Sequence, residues 1–153
     1  MYLAKYTRPD IANGVREHSK NMDRASSQDY KSLLRMIKYV LETNRKGILI
    51  KPIVLHNMLQ LCGYCDSDYA TDRETRKSIT GFIIYLCSVP ISWRSRSQRG
   101  VMLSSTESEY YAISEICSEI LFIKGVMDYL QVKMEYPIIV NVDNVGAIYL
   151  AKN

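Results

Sequence analysis

Three acidic residues stand where a sheet and a helix would bring them to one point: Asp66, Glu109 and Asp143. Asp66 closes an apolar, strand-like run from Leu59 to Cys65. Asp143 closes another, Ile138-Ile139-Val140-Asn141-Val142. A long helical pattern separates the two runs, so the second strand returns by a crossover and is free to lie parallel to the first. Their carboxyl ends then meet at one edge of the sheet, where open α/β sheets bind ligands. Glu109 lies one helical turn before Ile113, on the apolar stripe of the intervening helix, so its carboxylate faces the sheet. A charge there is costly unless something positive sits opposite. Three convergent carboxylates with no basic partner in their motifs suit a hard, oxygen-seeking cation such as Mg²⁺.

Each residue also has a plainer use. Asp66 and Asp68 fit turns. Glu109 has capping-box spacing from Thr106, and Glu107 has it from Ser104. Asp143 fits the cap of the helix that follows it. Taken singly, the structural uses suffice. The joint placement at a strand end, a helix face and a neighbouring strand end is harder to obtain from capping.

The elements that must position these groups come from periodicity. Pro9-Asp10 opens a helix with Ile11, Val15, His18 and Met22 on one side. Ser26 or Ser27 caps a stronger one, striped by Tyr30, Leu33, Leu34, Ile37, Val40 and Leu41 and ended by Asn44. Its opposite side carries Lys31, Arg35 and Lys38. Gly47 begins a strand-like Ile48-Leu49-Ile50. From residue 58 strands dominate: Leu59 to Cys65, Ile79 to Cys87, and a third from Pro90 to Arg94, an antiparallel meander. A helix from Thr106 to Leu130 follows, striped by Ile113, Ile116, Cys117, Ile120, Ile123, Met127 and Leu130. The strand at 138–142 and a helix over Gly146–Ala151 complete an α/β pattern.

Composition narrows the classes. At 153 residues and 47% apolar, the chain is long and apolar enough to bury a core, which excludes disordered and collagen-like classes. No apolar run approaches the ~18 residues of a membrane span, and the N-terminus does not read as a secretory signal, so no membrane partner is expected. Four cysteines without a signal read as reduced thiols. Cys62 and Cys65 have CxxC spacing, but they lie within a strand and no second ligand pair follows, so they read as core residues. With His18 and His56 the only histidines, His-based zinc sites and Ser/His nucleophiles are disfavoured. Charge is uneven: residues 1–57 hold 11 basic and 5 acidic residues, a net of +6, whereas residues 58–153 hold 9 and 11, a net of −2. That division suits a polyanion cradle beside an acidic metal site, although scattered surface charge would give it too.

The motifs resemble a known family. Gly63-Tyr64-Cys65-Asp66-Ser67-Asp68-Tyr69-Ala70, then Asp72, Arg76-Lys77-Ser78 and Thr80-Gly81-Phe82, resemble the start of the ribonuclease H domain of copia-type retrotransposon Pol polyproteins. Ile91-Ser92-Trp93, Gln98 and Leu103-Ser104-Ser105-Thr106-Glu107-Ser108-Glu109-Tyr110 with Ala112 are similar to its next signature. Val142-Asp143-Asn144 with Ala147-Ile148 and Leu150-Ala151 is similar to a third. Thr7-Arg8-Pro9-Asp10-Ile11 and the helix through Arg35 to Leu41 resemble the end of the adjoining reverse transcriptase.

The resemblance implies an α/β, ribonuclease H-like mixed sheet at 58–153: three antiparallel strands, a helix, a parallel strand and a helix, C-terminally incomplete. Residues 1–57 would be a helical reverse transcriptase tail. It places the metal-binding catalytic carboxylates on Asp66, Glu109 and Asp143, with Asp68 and Glu107 at flanking positions. Two Mg²⁺ ions, or Mn²⁺ in their stead, ~3.5–4 Å apart, would activate a water and stabilise a leaving 3′-oxygen. Asp66 would bridge them, with Glu109 and Asp143 holding one each. The substrate implied is the RNA strand of an RNA–DNA hybrid, whose 2′-hydroxyl distinguishes it from DNA. Read from the residues, Lys31, Arg35 and Lys38 could track a nucleic-acid backbone, which agrees with the resemblance, or equally form a solvated helix face, and Arg94, Arg96 and Arg99, with Gln98, could reach substrate phosphates. Reverse transcriptase and the rest of the polyprotein are the implied partners, and the setting is intracellular: cytoplasmic, in a virus-like particle, or nuclear. The family's fourth catalytic Asp would lie beyond Asn153, so little or no cutting is expected of residues 1–153 alone. A catalytically inactive nucleic-acid-binding remnant is the alternative, and a structural fragment without a biochemical role a third.

Overall fold

The computed structural model describes residues 2–20, 22–53 and 58–152. The chain divides into two compact units, Met1–Leu49 and Ile50–Asn153. The sequence-read boundary at 57/58 adjoins residues 54–57, which with His56 lie outside the described residues.

The first unit is helical. It contains α1 (Tyr2–Tyr6), which periodicity did not indicate, a 3₁₀ turn at Pro9–Ile11, α2 (Ala12–Lys20), a second 3₁₀ turn at Met22–Arg24 and α3 (Ser27–Glu42). The expected helix from Pro9 thus starts as 3₁₀, and Met22 is exposed outside it. Ser26 starts α3 through a full capping box: its hydroxyl accepts from Asp29 N at 3.2 Å while Asp29 Oδ2 accepts from Ser26 N at 2.8 Å. Arg8, 7% exposed, clasps the other end of α3, donating to Thr43 Oγ1 at 2.7 Å and to Asp10 at 2.8 Å. Asp10 in turn accepts from Tyr39 Oη at 2.8 Å. Met36 Sδ lies 3.0 Å from where a Cβ on Gly14 would sit, so α3 packs close against α2 at a residue without a side chain. Of the α3 stripe, Leu33 and Val40 are half-buried, whereas Tyr30, Leu34, Ile37 and Leu41 stay exposed. The nine residues of α2 are too few to cover the sixteen of α3.

Ile48-Leu49-Ile50 forms no strand, contrary to its composition. A strand needs a partner ladder, and none pairs with it among the described residues; Leu49 and Ile50 are exposed.

The second unit is a four-stranded mixed sheet in the order β3-β2-β1-β4, with β1 at Leu61–Asp68, β2 at Ile79–Leu86, β3 at Val89–Ser97 and β4 at Ile139–Asn141. The first three strands form the expected antiparallel meander, and β4 runs parallel to β1. Leu59 lies outside β1, in an isolated bridge to Met134. Cys87, expected at the end of β2, instead forms with Ser88 a two-residue turn with both residues at positive φ (49° and 71°), the geometry that matches strand twist.

Alternation along β1 sends Leu61, Gly63 and Cys65 toward α4 (Ser105–Tyr129), where Ala112, Ile116, Ile120 and Ile123 meet them together with Phe82 and Ile84. Ile116 Cδ1 lies only 2.7 Å from a Cβ built on Gly63, so the helix approaches the central strand where no side chain intervenes. Leu130, expected on the stripe, caps α4 and is exposed. A final helix, α5, spans Val145–Lys152. No described helix is long and apolar enough to cross a membrane.

Candidate metal centre

Parallel pairing of β1 and β4 sets the geometry. Tyr64 pairs with Asn141, and Asp66 and Asp143 each lie two residues further along in the same direction. Asp66 does not end its strand as the sequence suggested. Pairing continues through Ser67↔Thr80 to Asp68↔Ile79, because β2 supplies partners that far. Asp143 lies just past β4, which is shorter than the apolar run around it.

Glu109 completes the group from the first turns of α4. Each of Asp66, Glu109 and Asp143 offers a carboxylate oxygen, and these atoms all lie within 4.8 Å of one another. Asp66 and Asp143 are exposed, whereas Glu109 is 5% exposed. One Glu109 oxygen, Oε1, accepts from Ser67 N at 3.1 Å. The other, Oε2, is buried and has no hydrogen-bond partner. Burial pushes the Glu109 carboxyl above the usual range; the Ser67 hydrogen bond opposes this, and Asp66 and Asp143 add to it. An orphaned buried carboxylate oxygen beside two further carboxylates is an unfavourable arrangement without a cation, so the donor set fits Mg²⁺ or Mn²⁺.

The capping uses fall to neighbouring residues. Ser104 caps α4 by accepting from Glu107 N at 3.1 Å, and Glu107 Oε2 accepts from Leu103 N at 2.5 Å. Asn144 Oδ1, not Asp143, accepts from Ala147 N at 2.9 Å at the start of α5. Asp68 ends β1, outside the three-carboxylate group.

The basic residues separate into two sets. Lys31, Arg35 and Lys38 are exposed on α3, with Lys38 3.6 Å from Glu42. On β3, Arg94 pairs with Glu119 at 3.4 Å and Arg96 with Glu115, so both guanidinium groups tie the strand to α4. Glu115 holds the Arg96 guanidinium above its ordinary range. Arg99 is exposed beyond the strand. Gln98, read as a phosphate contact, is 1% exposed and bonded to Thr80 Oγ1 at 3.0 Å and to Ser108 O at 2.9 Å, which places it in the interior. Cys62 and Cys65, three apart on one strand, point to opposite faces and share no ligand geometry; both thiols are free. Burial, followed by Glu109 and other neighbouring groups, pushes the Cys65 thiol up to about 12.

No family model matches the chain, and no solved structure matches it. Among curated proteins, the retrovirus-related Pol polyprotein from transposon RE1 of Arabidopsis thaliana is 38% identical over 152 residues, 99% of this chain and 10% of that protein. The Pol polyprotein from transposon TNT 1-94 of Nicotiana tabacum is 33% identical over 157 residues, 11% of its length. Secreted RxLR effector protein 161 of Plasmopara viticola is 37% identical over 123 residues, 80% of this chain and 84% of that protein. The chain thus spans about a tenth of the length of the Pol polyproteins it matches.

Proposed function

The chain belongs to the retrovirus-related Pol polyproteins of copia-type transposons, and from that premise we propose that the Ile50–Asn153 unit is a ribonuclease H-like domain acting on the RNA strand of RNA–DNA hybrids. One observation carries the reading: Asp66, Glu109 and Asp143 converge within 4.8 Å, and the buried Glu109 Oε2 lacks any hydrogen-bond partner. The mixed strand order with one parallel pair supports a ribonuclease H-like sheet.

Asp66, Glu109 and Asp143 would hold Mg²⁺ or Mn²⁺. When bound, such ions lower the pKa of a coordinated water and neutralise charge on a leaving oxygen. The chain's own residues do the rest. Ser67 N–H fixes Asp66 Oδ1 at 2.8 Å and Glu109 Oε1 at 3.1 Å, so two carboxylates are oriented by one donor. The exposed Lys31, Arg35, Lys38 and Arg99 would follow the phosphate backbone. Arg94 and Arg96, held by Glu119 and Glu115, would contribute less. The Met1–Leu49 unit corresponds to a reverse transcriptase tail, which makes the remainder of the polyprotein the partner and the cell interior, cytoplasm or nucleus, the setting.

A second reading, a hybrid-binding remnant that does not cut, rests on the exposed Lys31, Arg35, Lys38 and Arg99, which can hold a phosphate backbone without any cutting chemistry. Cleavage of a labelled RNA–DNA duplex, with single-stranded RNA and duplex DNA as controls, separates the two. The enzyme reading expects Mg²⁺- or Mn²⁺-dependent cutting of the RNA strand, abolished in Asp66→Asn while hybrid binding persists. Hybrid binding with no cutting in either metal gives the second reading.

A further inference from the structure

The carboxylate group rests on a ring of polar residues to which the sequence reading gave no part in the metal site. The Ser67 N–H is shared between Asp66 Oδ1 and Glu109 Oε1, tying a strand carboxylate to a helix carboxylate. The Ser67 hydroxyl accepts from Ser108 Oγ at 2.8 Å, and Ser108 immediately precedes Glu109. The Ser108 carbonyl accepts from Gln98 Nε2 at 2.9 Å, and the same amide donates to Thr80 Oγ1 at 3.0 Å. Thr80 is the β2 partner of Ser67, which closes a ring from β1 through α4 and the end of β3 to β2. Ser108 and Thr80 are 0% exposed and Gln98 is 1%.

A buried polar ring is costly unless satisfied, and when satisfied it fixes one geometry. An apolar residue at 80, 98 or 108 would fill the same interior without that demand. What the ring adds is the position of one N–H and, through it, of two carboxylates.

We propose that Ser67 and Ser108, backed by Gln98, are positioning residues for the metal site: they commit Glu109 Oε1 to the backbone and leave Oε2 as the oxygen for the cation. This rests on reading Asp66, Glu109 and Asp143 as a divalent-cation site. Outer hydrogen-bond partners of metal ligands orient those ligands, and their loss typically lowers metal affinity by about 10–100-fold.

Mn²⁺ titration calorimetry on the full chain tests the idea, with melting in chelator as the measure of fold. The panel is the wild type, Ser67→Ala, Ser108→Ala, the double variant, Ser67→Thr and Glu109→Gln. Ser67→Ala and Ser108→Ala should each weaken Mn²⁺ binding by about tenfold. The double variant should bind no more weakly than the worse single, since both act on one N–H. Ser67→Thr, which keeps the hydroxyl, should restore the affinity. Should Ser108→Ala fail to fold, the half-buried Ser67 carries the test. Alanine variants that melt lower yet bind Mn²⁺ as tightly as the wild type would overturn the inference alone, since the ring would then be structural only. A wild type that binds no Mn²⁺, or whose binding survives Glu109→Gln, would overturn the metal reading and the inference with it.

Discussion

Glu109 is the residue on which the proposed chemistry turns, because it is buried beside two other acids and still carries an oxygen without a protein partner. Its folded-state pKa is raised above the ordinary 4.5, chiefly by burial. The sign follows from linkage: the folded chain holds this proton more tightly than the unfolded chain, so in the absence of metal stability declines as pH rises from the unfolded value toward the raised one. Glu109→Gln removes that decline. In chelator, its melting temperature should gain on the wild type as pH goes from about 4 to about 7, with little difference at the acid end. A difference that is constant across that range would contradict the assignment. The convergence of the three carboxylates was legible in the sequence because periodicity gives both the two runs that carry Asp66 and Asp143, which pair in parallel, and the inward helix stripe that carries Glu109. The Ser67–Ser108–Gln98–Thr80 ring was not, since its members lie on four separate segments and only folding joins them. The partners of Arg94 and Arg96 escaped for the same reason: Glu119 and Glu115 lie 25 and 19 residues away.

At the level of elements, α4 is both the core's main apolar surface and the carrier of Glu109. Its inward line runs Glu109, Ala112, Ile116, Ile120 and Ile123, all buried at helical spacing. Ile116, 0% exposed and seated over Gly63, should cost about 2–5 kcal/mol on truncation to alanine in a denaturant melt. Phe122, 68% exposed on the other side, should change stability by no more than about 0.5 kcal/mol. Arg96→Ala leaves the nearly buried Glu115 side chain unpaired and should lower stability by about 1–3 kcal/mol. Arg99→Ala should instead leave stability intact and flatten the salt dependence of hybrid binding. Comparable loss of stability from both arginine variants would contradict the division of roles. Periodicity located α4, the three-stranded meander and the parallel strand because their patterns agree with what they pack against. It failed at Ile48-Leu49-Ile50, where β-branched composition meets no partner strand, and on α3, whose stripe is longer than its neighbour in the unit.

Across the whole molecule, the helical Met1–Leu49 unit holds 10 basic and 5 acidic residues, a net of +5, whereas the Ile50–Asn153 unit holds 10 and 11, a net of −1, with three of those acids at one edge of its sheet. On the proposed reading, this edge binds a divalent cation through Asp66, Glu109 and Asp143. A ligand that binds only the folded state stabilises it by mass action, by about 2.7 kcal/mol at a hundredfold excess over Kd. For a chain of this size each kcal/mol raises the melting temperature by about 2–4 °C. The most direct measurement is therefore thermal melting in chelator and in millimolar Mg²⁺, run in parallel on the wild type, Asp66→Asn and Glu107→Gln. A Mg²⁺-dependent rise is expected in the wild type, the same rise in Glu107→Gln, whose carboxylate serves the α4 cap, and none in Asp66→Asn. An absent shift in the wild type, or an equal shift in Asp66→Asn, would contradict the proposed reading.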